Sequence, residues 1–241
     1  MKKLLAITAL SAALFFGQTA AAEEKAAEEV KPSHVEMVLV LDESGSMSNL
    51  TNDTIGGFNS MIEKEKKLDV DAHVTTVLFN DQYKMLYNRR ELKDVSKMTD
   101  KDYTPGGMTA LLDAVGRTIH KMDMVAGIHR KDKGNKVLFV IITDGEENDS
   151  KEYTYADVKK LIKDRQENAG WEFIFLGANI DAAAAAENLG IDRDRAVKYK
   201  NTGSGVRANF KAVAELSDSL AKSGRVSDEW KETVEKDEEI G

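Results

Sequence analysis

Strand-like and helix-like segments alternate along most of this 241-residue chain. That alternation predicts an α/β fold: a Rossmann-like, doubly wound, mainly parallel sheet with helices on both faces. Two further observations refine it. The apolar runs are nearly continuous, as strands covered on both faces require. Two of them are separated only by Asn80-Asp81, a pair of turn-favouring residues, which predicts a hairpin and one antiparallel strand at a sheet edge.

In chain order, Val35 to Leu41 is the first buried strand, followed by a helix with Ile55, Phe58 and Ile62 on one face. Ala72 to Phe79 and Gln82 to Tyr87 form the hairpin. Leu112, Val115, Ile119 and Met122 share the next helical face, ahead of a strand over Val137 to Ile142. Val158, Leu161 and Ile162 mark a third helix. Thr154 and Asp157 stand at capping-box spacing before it, and Gly170 is its stop signal. Trp171 to Leu176 is a strand. The five alanines Ala182 to Ala186 read as a closely packed helix. Ala196 to Tyr199 is a short strand, and Phe210, Val213, Leu216 and Leu220 line a last amphipathic helix. The folded domain is expected over residues 34–224. Residues 225–241 read as a charged C-terminal tail, either a final helix or disordered.

The N-terminus has the layout of a secretory signal peptide over residues 1–22. Lys2 and Lys3 precede the uncharged stretch Leu4 to Phe16, and Ala20-Ala21-Ala22 supplies a cleavage site. The apolar stretch is short of the roughly 20 residues that a membrane span needs. Residues 23–33, rich in Ala, Glu and Lys, read as a solvated linker. Losing the two lysines takes the net charge from −8 to −10. No stable membrane insertion is expected after cleavage. The periplasm is the expected location, with secretion as the alternative. The acidic balance argues against nucleic-acid binding, which calls for a clustered basic surface. The absence of cysteine excludes a disulfide framework, a thiolate metal site, a cysteine nucleophile and a lipidated cysteine.

Three segments carry chemistry. Asp42-Glu43-Ser44-Gly45-Ser46 follows the first strand. Gly106-Gly107-Met108-Thr109 precedes a helix. Thr143-Asp144-Gly145-Glu146 follows a buried strand. In an open parallel sheet, ligands bind beyond the carboxyl ends of strands, where the winding reverses. If the strands ending at Asp42 and Asp144 are neighbours, both carboxylates face one crevice. Carboxylates and hydroxyls are hard oxygen donors, which suit Mg²⁺, with Mn²⁺ or Ca²⁺ as alternatives, rather than zinc or copper.

This combination resembles the von Willebrand factor A family with its metal-ion-dependent adhesion site. Asp42, Ser44 and Ser46 match the DxSxS loop, Thr109 the distant threonine and Asp144 the distant aspartate. The resemblance runs from about Val35 to about Leu220. It implies that the three hydroxyls bind the metal and that the two aspartates act directly or through water. It also implies a non-enzymatic, metal-dependent protein-binding module for adhesion or scaffolding. A protein partner's Asp or Glu carboxylate would fill the vacant metal position. Glu43, Glu146 and Glu147, with Asp149, are expected around the site, narrowing which partners approach.

Two other functions compete. A metal-dependent hydrolase would need a general base beside the metal, for which Glu43 or Glu146 could nominally serve, but no histidine or lysine motif or phosphate loop accompanies them. A subunit of an ATP-driven chaperone or insertion complex would be cytosolic, against the signal peptide. His34, His73, His120 and His129 have no ligand spacing and read as surface or packing residues. The glycan-acceptor matches at Asn49, Asn52 and Asn148 read as chance, and Trp171 and the tyrosines read as core and rim.

Overall fold

The computed structural model describes residues 34–125 and 135–239. The expected signal peptide, the linker and His129 lie outside the described residues. Among the described residues, six strands form one sheet: β1 (His34–Asp42), β2 (Ala72–Phe79), β3 (Tyr83–Glu91), β4 (Asn135–Thr143), β5 (Glu172–Gly177) and β6 (Ala196–Lys198). Their spatial order is β3-β2-β1-β4-β5-β6. Every pairing is parallel except β2 with β3, the edge hairpin. The doubly wound sheet with one antiparallel edge strand is therefore the fold of this chain.

Among the described residues, six α-helices surround the sheet: α1 (Thr51–Lys67), α2 (Leu111–Asp123), α3 (Tyr155–Asp164), α4 (Ala182–Leu189), α5 (Gly203–Ser223) and α6 (Glu232–Glu239). Side chains alternate across a strand, so β1 feeds two cores at once. Val35, Met37, Leu39 and Leu41 pack with Phe58, Phe210, Val213 and Leu216 from α1 and α5. Val38 and Val40 pack on the other face with Val115, Val158 and Ala186 from α2, α3 and α4. This two-sided burial is why β1, β4 and β5 read as unbroken apolar runs.

The helix ends follow local chemistry. The Thr154 side chain accepts from the Asp157 backbone N–H, while the Asp157 carboxylate accepts from Thr154, closing the capping box of α3. Gly170 takes the left-handed conformation (φ 69°) at the stop. The Asp181 side chain accepts from Ala184 N–H at the start of α4, and the Thr202 side chain from Gly205 N–H at the start of α5.

Two boundaries depart from the sequence-based expectation. β3 runs on to Glu91 through the polar segment Asn88–Glu91, with a register shift against β2 and Arg89 at φ 46°. An edge strand needs apolar residues on one face only, so its end carries no hydrophobic signal. The stretch 225–239, expected as a charged tail that is either a final helix or disordered, packs onto the domain. It forms a short 3₁₀ turn and α6, and it buries Val226, Trp230 and Val234 against the α1/α5 core. Three buried side chains among many charges are too sparse to show as a helical stripe. Among the described residues, no helix is long and apolar enough to cross a membrane.

Candidate metal centre

β1 and β4 lie side by side in parallel register, with Leu41 opposite Ile142. From β1 the chain winds outward through β2 and β3, and from β4 outward through β5 and β6, so the winding reverses between these two strands. Asp42 ends β1, and Asp144 directly follows β4. The crevice at the reversal therefore has a carboxylate on each side.

The five residues singled out in the sequence meet here. The Ser44 and Ser46 hydroxyl oxygens are 3.0 Å apart. The Ser46 hydroxyl donates to Asp144 Oδ1. A methyl group placed on Gly145 would stand 3.7 Å from Thr109 Oγ1 and 3.8 Å from Ser46 Oγ, so these hydroxyls converge on the same space. Asp42 Oδ1 accepts from the Ser44 backbone N–H at 2.7 Å, and its Oδ2 accepts from the Thr143 hydroxyl at 2.5 Å. The Tyr103 hydroxyl donates to the Asp42 carbonyl at 2.6 Å.

The three loops are laced by backbone hydrogen bonds. Gly106 N–H donates to the Glu43 carbonyl at 2.9 Å, and Gly45 N–H to the Gly107 carbonyl at 3.2 Å. Gly107 sits at φ 76°, and a side chain there would run into Asp81 as well. Thr109 is clamped to the third loop in both directions. Its N–H donates to Asn148 Oδ1 at 2.8 Å, and its carbonyl accepts from Asn148 N–H at 3.0 Å.

The electrostatics are one-sided. Asp42 and Asp144 are both buried, and among the described residues neither forms an ion pair. Burial pushes the Asp42 carboxyl up to about 6, and the Asp144 charge adds to the rise against the hydrogen bonds from Ser44 and Thr143. The Tyr199 hydroxyl, buried near the same two acids, has no hydrogen-bond partner among the described residues. Two carboxylates, three hydroxyls and no nitrogen or sulfur donor fit a hard dication, which would relieve the repulsion that burial leaves uncompensated.

The three glutamates expected on the rim divide. Glu146 is exposed there. Glu43 is buried, and its carboxylate turns inward to accept from Thr104 N–H and from the Thr104 hydroxyl at 3.2 Å. Glu147 is a helix cap: it accepts from Leu112 N–H at 2.9 Å at the start of α2, and from the Ser150 N–H and hydroxyl at 2.7 Å each. Orphan donors at a helix start attract a nearby carboxylate, and nothing local in the sequence says which glutamate will reach them. Asp149 is likewise half-buried, its N–H held by Glu147.

Sequence reasoning missed Asn201, which donates to Asp144 Oδ2 at 3.3 Å from the loop between β6 and α5. It also missed Met108, on the loop that carries Thr109, and Tyr155, the first residue of α3, large side chains 50% and 44% exposed. The Asn-Thr-Gly-Ser sequence at 201–204 looks like any loop, so only Met108, apolar within a glycine-rich turn, offered a signal.

Residues 34–191 match the family model of the von Willebrand A domain found in the C terminus of TerF. No curated protein is similar enough in sequence to match. Among solved structures, the chain is similar to the pilus adhesin SpaC of Lactobacillus rhamnosus GG in its open conformation. That match has a TM-score of 0.62 and 14% identity, covering 80% of this chain and 31% of SpaC. It is also similar to the von Willebrand factor domain of the type V pili tip protein Mfa5 from Porphyromonas gingivalis. There the TM-score is 0.55 and the identity 12%, covering 82% of this chain and 99% of that one. A von Willebrand factor type A protein from Catenulispora acidiphila matches at a TM-score of 0.52 and 15% identity, over 77% of this chain and 43% of that one. The chain thus spans under half the length of the SpaC and Catenulispora chains.

Proposed function

The chain belongs to the von Willebrand factor A family, and from that premise we propose that it is an exported, metal-dependent protein-binding module of the adhesion or scaffolding type. The observation that carries this reading is the convergence of Asp42, Ser44, Ser46, Thr109 and Asp144 at the reversal point between β1 and β4. In this reading the Ser44, Ser46 and Thr109 hydroxyls hold a Mg²⁺-type ion, with Mn²⁺ or Ca²⁺ as alternatives. Asp42 and Asp144 act on the ion directly or through water. The ion supplies a positive position on an acidic protein, and an Asp or Glu carboxylate of a protein partner fills its open place.

The chain's own residues set what can approach. Glu146 repels a general acidic surface, so only a carboxylate presented singly reaches the ion. Met108 and Tyr155 offer apolar contact on the same rim. Asn201 holds Asp144 Oδ2, and the Ser46 hydroxyl holds Oδ1. The same fold in the SpaC pilus adhesin and the Mfa5 tip protein supports an adhesive role. The basic, apolar and small-residue layout of residues 1–22 supports export, to the periplasm or beyond it.

The test is an affinity capture from the native source, with the wild-type chain and the Ser44→Ala/Ser46→Ala variant, each in Mg²⁺ and in EDTA. A specific protein retained only by wild type in Mg²⁺ is the expected result. Retention that survives both the chelator and the double substitution would overturn the reading.

A further inference from the structure

His34 and His73 stand far apart in sequence, but the pairing of β1 with β2 sets Glu36 opposite His73 and brings all three side chains together. The site lies at the opposite end of β1 from Asp42, roughly 20–26 Å away at about 3.3 Å per residue. Each residue offers one ligand atom, and the three atoms lie within 4.8 Å of one another. His34 Nε2 is 3.3 Å from Glu36 Oε1, and His73 Nδ1 is 3.2 Å from the same oxygen. The two ring nitrogens face each other at 2.8 Å.

We propose that His34, Glu36 and His73 form a second metal site, specific for a zinc-class divalent ion and independent of the oxygen site at the other end of the sheet. Two imidazoles and a carboxylate are the donor set such an ion prefers, and Mg²⁺ does not. Donors around a tetrahedral ion with bonds of roughly 2.0–2.1 Å stand about 3.3 Å apart. Two of the three donor separations already have that value, and the third opens by about half an ångström when an ion enters.

The surroundings orient the donors. His34 Nδ1 is 3.0 Å from Asp71 Oδ1, so the ring gives its Nδ1 proton to a carboxylate and turns Nε2 toward the site. Carboxylate support of this kind fixes the tautomer of metal-bound histidines. Arg89 Nε donates to Glu36 Oε2 at 3.0 Å, holding the carboxylate while Oε1 faces the imidazoles. Its Nη2 also lies 2.5 Å from Oε1 and 3.2 Å from His73 Nδ1, and must yield both contacts to the ion. Two nitrogens at 2.8 Å need a proton between them, and the ion takes that proton's place. Binding therefore releases protons and weakens as the pH falls. The charged groups facing the pair are Glu36 on β1, Asp71 in the loop before β2, and Arg89 and Glu91 on β3. His34 and His73 keep 19% and 26% of their side chains exposed, leaving an entry path and a fourth position for water.

The test titrates Zn²⁺ into the purified protein against a chromophoric chelator, in saturating Mg²⁺ so that the oxygen site is occupied. One Zn²⁺ bound at micromolar or tighter affinity is expected, with at least a tenfold loss in both His34→Gln and His73→Gln. Asp71→Asn, a change at an exposed position that leaves the fold intact, is expected to weaken Zn²⁺ by about tenfold. Asp144→Ala is expected to leave it unchanged. Co²⁺ in place of Zn²⁺ should give the intense visible absorption of a tetrahedral site in wild type and lose it in His73→Gln. Absence of micromolar Zn²⁺ binding, or equal binding by wild type and both histidine variants, would overturn the proposal. So would loss of Zn²⁺ through Asp144→Ala alone.

Discussion

A buried carboxylate with no ion pair among the described residues would be the most sensitive point of the proposed metal centre, and Asp144 is in that position. An ion that binds the folded chain alone adds about 2.7 kcal/mol of stability at a hundred times its Kd. Mg²⁺ should therefore raise the melting temperature of the wild type and leave that of Asp144→Ala unmoved, as scanning calorimetry would register. An equal rise in both would place the ion elsewhere. The glutamates offer a paired contrast. Glu43→Ala strands the Thr104 donors and should cost about 1–3 kcal/mol in urea unfolding. Glu146→Ala is expected to change stability by less than about 0.5 kcal/mol and to alter partner capture instead. A large stability loss in the second variant would contradict its place on the rim.

Helices position these side chains, and two of their contacts are open to measurement. The start of α2 is held by Glu147, so Glu147→Ala releases Leu112 N–H and loosens the segment that carries Thr109. A loss of about 1–2 kcal/mol is expected, as for other helix caps, together with weaker Mg²⁺ binding in calorimetric titration. Unchanged Mg²⁺ affinity would mean that the cap and the site are uncoupled. Between α1 and α5, Gly57 lies so close to Phe210 that a Cβ would stand 2.5 Å from the ring. Within that tight seam Glu65 is fully buried, and neither of its oxygens has a hydrogen-bond partner among the described residues. Burial pushes its carboxyl up to about 7. In the unfolded chain the group titrates near its ordinary value of 4.5. The folded state thus binds a proton more tightly, and stability falls as the pH rises from about 4.5 through about 7. The penalty is complete above that window and amounts to roughly 3 kcal/mol. Glu65→Gln should flatten the profile, gaining stability at pH 8 relative to wild type. A parallel profile in the variant would show that the carboxyl is not the source.

For the molecule as a whole, the C-terminal segment closes the α1/α5 face. Trp230 is buried at 2% exposure beside Val226 and Val234. Truncating a buried aromatic side chain costs about 3–5 kcal/mol. Trp230→Ala should lower the urea midpoint accordingly, and an effect under 1 kcal/mol would mean that the segment is peripheral. The two proposed metal sites stand at opposite ends of β1, so their variants should act additively on stability.

Much of this was legible in the residues alone because it is local. Period-2 and period-3.6 patterns, Thr154 with Asp157, Gly170, and the two-residue turn at Asn80-Asp81 each report on neighbours a few positions away. The oxygen-rich loops could be found for the same reason, since each sits where a strand ends or a helix begins. Long-range pairing settled the rest. Whether Asp42 faces Asp144 depends on β1 lying next to β4, and the meeting of His34, Glu36 and His73 depends on the register of β1 against β2. The inward turn of Glu43 and Glu147 was equally hidden, because any of several acids could have reached those donors. A strand carries its own burial pattern in its composition, but its neighbour and register are chosen by packing across the whole sheet.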